Sequence, residues 1–270
     1  MRATDTQPLR RFLTLALGTL RPPPGAWRIA VAFVYGVICH LTFAAAVLAM
    51  MSAMFFGMSE SFGTAPGLWA VGANAALILQ FPLAHSLLLS PRGSRLLAKL
   101  APRAFAQSLS TTTYAIIAST QLLALFALWT PSGIIWWQAN GAAFTLICFC
   151  YGLSWLMLIW ASYDAGAEVQ SGALGWMSLA QNIKPVFPDM PTAGLFSLMR
   201  QPIYVSFALT TWFVPVWTPD QLCLAVALTT YCLLAPRLKE KRFARRYGAQ
   251  FVDYKRDVPY AIPRILRKKT

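Results

Sequence analysis

Residues equipped for acid–base or polar chemistry are few in this chain. His40 and His85 are its only histidines. Both sit inside apolar runs, where an imidazole is costly unless it is hydrogen-bonded or used. His40, beside Cys39, reads as a structural histidine bonded across helices. His85 stands in Gln80-Phe81-Pro82-Leu83-Ala84-His85-Ser86, near the inner end of its run. For it the structural and the functional reading both stay open. A second cluster brackets a short apolar hairpin. On the entry side is Met199-Arg200-Gln201-Pro202-Ile203-Tyr204; on the exit side is Lys239-Glu240-Lys241-Arg242-Phe243, then Tyr247-Gly248 through Asp253-Tyr254. A chain that folds back between them brings Arg200 and Glu240 together at the inner membrane surface. Taken alone, Glu240 is equally a salt-bridged surface residue, and Pro202 is simply a helix start. Cys39, Cys148, Cys150, Cys223 and Cys232 all lie in apolar runs without a CxxC pair. They read as small buried hydrophobes, with neither a zinc site nor disulfides implied.

The elements that must position these residues are membrane spans. Of the 270 residues, 57% are hydrophobic and only 12% charged, and the mean hydropathy is +0.53. That excludes a disordered chain and argues against an ordinary soluble domain. The expected fold is an all-α polytopic integral membrane protein with about six transmembrane helices. The apolar segments run over 29–56, 67–90, 112–130, 142–163, 203–217 and 222–236. The last two are short and flank Thr218-Pro219-Asp220-Gln221, a turn-like cluster. They are expected to form a tight hairpin, with Pro215 kinking or ending its first arm.

Basic residues set the orientation. Arg2, Arg10, Arg11, Arg21 and Arg28 precede the first span. Arg92, Arg95, Lys99 and Arg103 lie between the second and third, and Lys184 and Arg200 between the fourth and fifth. The other twelve follow from Arg237 onward. With six spans, every one falls on the same side. The opposite loops carry only Glu60 and Asp220. The positive-inside rule then places both termini in the cytoplasm. Residues 1–28 form a cytoplasmic segment, with an amphipathic helix on the inner surface. Residues 29–236 form the bundle, and 237–270 a basic cytoplasmic tail. The net charge of +14 is read as facing anionic lipid, and nucleic acid is not expected as a partner.

Arg-x-Pro-x-Tyr, an apolar hairpin, Glu-x-Arg and Gly-x-x-aromatic-x-x-Tyr together resemble the integral-membrane methyltransferases. That superfamily includes isoprenylcysteine carboxyl and phospholipid methyltransferases, and the chain looks closest to the methanethiol S-methyltransferase and NnrU-like branch. His85-Ser86, Ser110-Thr111-Thr112-Thr113-Tyr114, Leu128-Trp129-Thr130-Pro131, Asp164, Gln170 and Val258-Pro259-Tyr260-Ala261-Ile262-Pro263 occur in matching order. The similarity covers roughly 67–264. Three positions and one segment depart from the pattern: Gln201 stands for a usual His, Lys239 for an acid and Phe251 for Tyr, and Ala161-Ser162-Tyr163 replaces Asn-His-Phe.

The resemblance implies a pocket for S-adenosylmethionine at the cytoplasmic membrane face, completed by the C-terminal segment. Arg200, Gln201, Pro202, Tyr204, Glu240, Gly248 and Tyr254 would frame it. His85, Arg200 and Glu240 would be the catalytic residues, with no metal. His85 would take the proton of a thiol, because the thiolate is the nucleophile. The implied activity is methylation of a small thiol such as methanethiol to dimethyl sulfide, in a multi-pass protein of a bacterial inner membrane. Alternatives are methylation of an isoprenylcysteine carboxylate or lipid acceptor, and a non-catalytic membrane protein that retains the fold. No oligomeric state is implied.

Overall fold

A computed structural model describes residues 8–263. Arg2 of the basic N-terminal tail and Arg264, Arg267, Lys268 and Lys269 of the C-terminal one lie outside the described residues. The described chain is helical almost throughout. Its elements are α1 (Pro8–Thr19), α2 (Ala26–Phe55), α3 (Leu68–Leu88), α4 (Pro91–Lys99), α5 (Ser110–Ala127), β1 (Trp137–Gln138), α6 (Gly141–Asp164), α7 (Ala167–Gln170), α8 (Ala173–Ala180), α9 (Pro202–Trp212), β2 (Val216–Trp217), α10 (Pro219–Tyr247) and α11 (Ala249–Asp257). A 3-10 turn covers Gly194–Ser197.

Four helices, α2, α3, α6 and α10, are long and apolar enough to cross a membrane. The shortest of them, α3, has 21 residues, about 32 Å at helical rise, which matches a hydrocarbon core of roughly 30 Å. Their outward faces stay apolar: Leu146, Phe149, Leu153, Leu156 and Trp160 of α6 are all exposed. Such a stripe is stable only against lipid or another apolar surface. Two of the six expected spans are weaker. Helix α5 has 18 residues, and its first turn is Ser110, Thr111, Thr112 and Thr113. Helix α9 has 11, about 16 Å, or half the hydrocarbon thickness.

The chain divides into two units. The first comprises the chain up to Ile134 together with Gly166–Phe187. In it, α2 packs along α5 and α8. Gly36 makes room for the Trp176 indole; a Cβ there would stand 2.7 Å from the ring. Thr112 donates to the Gly172 carbonyl at 2.7 Å and accepts from the Trp176 backbone N–H at 2.9 Å. One hydroxyl thus ties α5 to the start of α8. Gln80 and Gln121 donate to each other's backbone carbonyls at 2.9 and 3.2 Å, which joins α3 to α5 inside an apolar layer. Helix α1 lays Phe12, Leu15 and Ala16 against the buried cluster around α8.

The second unit comprises Ile135–Ala165 and the chain from Pro188 onward. Here α6 and α10 each pack on α9. The expected hairpin is present, but its turn lies earlier than the sequence suggests. Helix α9 stops at Trp212, ahead of Pro215, and the chain runs extended through β2, which pairs antiparallel with β1. Thr218 to Gln221 is not the turn. Thr218 is the N-cap of α10, its hydroxyl accepting from the Gln221 N–H at 2.9 Å, and Pro219 opens the helix. Gln221 in turn donates to the Thr211 carbonyl at 2.7 Å, satisfying one of the open carbonyls of α9. Helix α10 then continues beyond the expected end at 236, through Pro236, to Tyr247. Gly248, at φ +53°, breaks it from α11. Of the cysteines, Cys39 and Cys232 are buried, Cys148 and Cys150 are half-buried and Cys223 is exposed, and all five are free.

Candidate functional site

The site forms where the entry to α9 meets the basic end of α10. Pro202 begins α9 and Gln201 is its N-cap, so Arg200 is the last residue before the helix. The segment after α11 is laced to this entry: the Arg200 N–H donates to the Pro259 carbonyl at 2.9 Å, and the Gln201 N–H to that of Tyr260 at 3.1 Å. Arg200 is thereby fixed at its backbone before its side chain is engaged.

The guanidinium is held through its Nε and Nη1. Arg200 Nε donates to Glu240 Oε1 at 2.8 Å. Its Nη1 donates to the carbonyls of Lys255, at 3.2 Å, and Val258. Its plane lies over the Tyr260 ring, 5.5 Å from the centroid. Gln201 Nε2 reaches the same Glu240 oxygen at 2.9 Å. Arg200 and Glu240 are only 8% and 12% exposed, so this is a nearly buried ion pair with charge-assisted bonds. Two acceptors are left over. Gln201 Oε1 is buried with no hydrogen-bond partner, and Glu240 Oε2 has none among the described residues.

Two cavities adjoin this cluster. One of about 460 Å³ is lined by Arg200, Arg237, Glu240, Lys241, Lys255 and Tyr260, among others. The other, about 250 Å³, lies between α9 and α10 and is lined mainly by apolar side chains, with Gln201, Tyr204, Trp212 and Cys232 on its wall. Tyr260 borders both. Its hydroxyl donates to the Leu233 carbonyl at 2.9 Å. Burial, with the Glu240 charge adding to it, raises the Tyr260 phenol above its ordinary value. Tyr254 is raised likewise, again chiefly by burial. It stays protonated and donates to the Phe196 carbonyl at 2.6 Å.

The expected site residues therefore separate into groups. Arg200, Gln201 and Glu240 are in direct contact, and Tyr204 lines the apolar cavity with Gln201. Lys239 holds its ammonium over the Tyr204 ring, 5.5 Å from the centroid. Gly248 and Tyr254 line neither cavity; one breaks the helix and the other braces Phe196. Pro202 is buried at the start of α9. His85 lies in the first unit, where the Tyr114 hydroxyl sits 2.7 Å from a ring nitrogen. His40 accepts from Trp176 Nε1 at 3.1 Å, the structural part expected of it. Sequence reasoning passed over Arg237, Lys241, Lys255 and Tyr260 as site residues. Of these, Lys241 stood in the exit-side run beside Glu240 and Tyr260 in the closing Val258-Pro259-Tyr260 segment. Asp164, quoted only for its place in the motif order, accepts from the Leu195 N–H at 2.8 Å and so fixes the turn that leads to Arg200.

Four membrane-length helices make this an integral membrane protein, and its second unit presents a small-molecule-sized polar cavity beside an apolar one. No model of a known protein family matches the chain, and no solved structure does. Its sequence is similar to methanethiol S-methyltransferase 2 of Bradyrhizobium diazoefficiens, 28% identical over 200 residues that cover 74% of this chain and 76% of that protein. It is also similar to the methanethiol S-methyltransferase of Crocosphaera subtropica, 26% identical over 240 residues, 87% and 92% of the two chains. Nurim of Xenopus laevis is 24% identical over 210 residues, 73% and 72%. The resemblance to membrane methyltransferases read from the sequence motifs is borne out by these relatives.

Proposed function

We propose that the chain is an S-adenosylmethionine-dependent membrane methyltransferase that acts on a small thiol, converting methanethiol to dimethyl sulfide. The observation that carries this reading is the Glu240 carboxylate, held by both Arg200 and Gln201 on the wall of the polar cavity, in a chain whose relatives are named methanethiol S-methyltransferase. The residues present fit the donor. The cavity volume is within the usual range of roughly 300–1,000 Å³ for small-molecule sites. Arg237, Lys241 and Lys255 suit a carboxylate. Glu240 Oε2 is an acceptor without a donor on the wall of this cavity, and an amino or hydroxyl group of such a molecule would supply one.

When bound, the donor supplies an activated methyl group on a sulfonium. The protein then has to align, desolvate and manage one proton. Arg200 and Gln201 fix Glu240, so its free oxygen is preorganised for a ligand N–H or O–H. The Tyr260 ring, already facing one cation, offers an electron-rich face to another. The apolar cavity beside it suits a small apolar acceptor. His85, with its imidazole held by Tyr114, is the proposed acceptor of the thiol proton.

The same reading keeps α5 and the α9 arm as the remaining two of six spans. It places both termini in the cytoplasm of a bacterial inner-membrane protein, on the strength of the one-sided basic loops. The C-terminal tail would then complete the donor site. The test is purified protein in detergent with labelled S-adenosylmethionine and a panel of methanethiol, longer thiols, prenylcysteine and phospholipids. Dimethyl sulfide in the headspace is expected. Label in the lipid or prenylcysteine fraction would instead favour those acceptors. Absence of both turnover and donor binding would overturn every enzymatic version.

A further inference from the structure

A third cavity, of about 440 Å³, lies in the first unit and is lined by none of the candidate site residues. Its wall carries Arg10, Arg11 and Thr14 of α1, Glu168 of α7, Ser178 of α8 and Lys184 beyond it. Three cations face one carboxylate. Arg11 and Glu168 form an ion pair, with Glu168 buried, so that carboxylate is already engaged. Arg10 and Lys184 have no carboxylate partner among the described residues. Ser178 adds an independent sign of a missing ligand. Its side chain is 1% exposed, and its hydroxyl has no hydrogen-bond partner. A buried O–H without an acceptor beside two unpaired cations lacks an anion with oxygen acceptors.

The surroundings say which anion. Helix α1 turns one face inward, but Leu9, Leu13 and Leu17 line up on another, and with Leu20 just past its end they are 45–76% exposed. Ile183, Val186 and Phe187, which flank Lys184, are exposed as well. A basic, hydroxyl-bearing cavity bordered by bare apolar side chains matches the boundary between phosphate groups and acyl chains. It does not match a site for a soluble ion, which would not need the leucines.

We propose that this cavity binds the phosphate of an anionic phospholipid headgroup, with Arg10, Lys184 and the Ser178 hydroxyl as donors and the α1 leucines against the acyl chains. The Arg11–Glu168 pair fastens α1 to α7 and so holds the donors in place.

Native mass spectrometry of the full chain tests this, after exchange into defined mixtures of phosphatidylglycerol and phosphatidylcholine. We expect one retained phosphatidylglycerol per chain, at least fivefold preferred over phosphatidylcholine. R10A/K184A, which alters only exposed side chains, should abolish that preference, and S178A should reduce it. L13S/L17S should weaken lipid retention, and inorganic phosphate at millimolar concentration should not displace the lipid. Equal retention of the two lipids by the wild type, or an unchanged preference in R10A/K184A, would overturn the proposal. Displacement by phosphate together with indifference to L13S/L17S would do the same and assign the cavity to free phosphate.

Discussion

Glu240 is the residue on which most depends. Replacing it with Ala leaves the Arg200 guanidinium nearly buried without its carboxylate, which costs several kcal/mol in such settings, about 3–5. Arg200 keeps two carbonyl partners, so the lower end is expected. E240A should therefore lose donor binding outright, read by equilibrium binding of labelled S-adenosylmethionine, while still inserting into the membrane. Normal binding by that variant would remove Glu240 from the site. Gln201→Leu is a finer probe. It removes one of two bonds to Glu240 and the orphaned acceptor, and should weaken donor affinity about tenfold, the equivalent of ~1.4 kcal/mol. Q201H should recover part of this, since a neutral imidazole can offer one donor and one acceptor. The meeting of Arg200 and Glu240 was legible in the sequence because each stands at the edge of an apolar run and the hairpin folds those edges together. The seats of Arg200 on the carbonyls of Lys255, Val258 and Pro259 were not. Every residue type has a carbonyl, so nothing in the side-chain text marks the ones that will be used.

Capping and close packing decide where the helices begin, end and touch. Thr218→Ala removes the hydroxyl that caps α10 and should cost about 1 kcal/mol, seen as a lower thermal midpoint in detergent with donor affinity little changed. Gly36→Ala would press a methyl into the Trp176 ring and should cost about 1–3 kcal/mol, measured the same way. The long runs of α2, α3 and α6 were legible to within a few residues, because continuous apolar sequence of that length has few other uses. The second arm of the hairpin was misjudged for a physical reason. Thr-Pro-Asp-Gln satisfies the chemistry of a turn and of a helix start equally well, and only the chain after it distinguishes them. The end at 236 was missed because hydropathy falls there while helix propensity does not: Lys, Glu, Arg and Ala carry α10 onward. The pairing of β1 with β2 is two residues long and joins distant positions, so no local pattern announces it.

For the whole molecule, the proposed six spans would put Lys and Arg on one side, which yields a labelling prediction. A cysteine placed at Glu60, in an otherwise cysteine-free chain, should react with an impermeant maleimide from outside intact cells, whereas one placed at Arg92 should react only after lysis. Reaction of Arg92→Cys in intact cells would reverse the orientation and remove the donor site from the cytoplasm. The continuity of α10 adds a mechanical consequence. Its start is locked by Thr218 and Gln221, and no break intervenes before Glu240, so the compass bearing of that carboxylate is inherited from the far end of the rod. One alanine spliced in near Ala227 would swing Glu240 by about 100° and carry it about 1.5 Å along the axis. Arg200 would then face a different side chain. Four alanines, close to one whole turn, would bring the bearing nearly back while pushing the carboxylate about 6 Å further out. Donor binding across such an insertion series should depend on both phase and depth, which would show that the hairpin tip and the pocket are geared together.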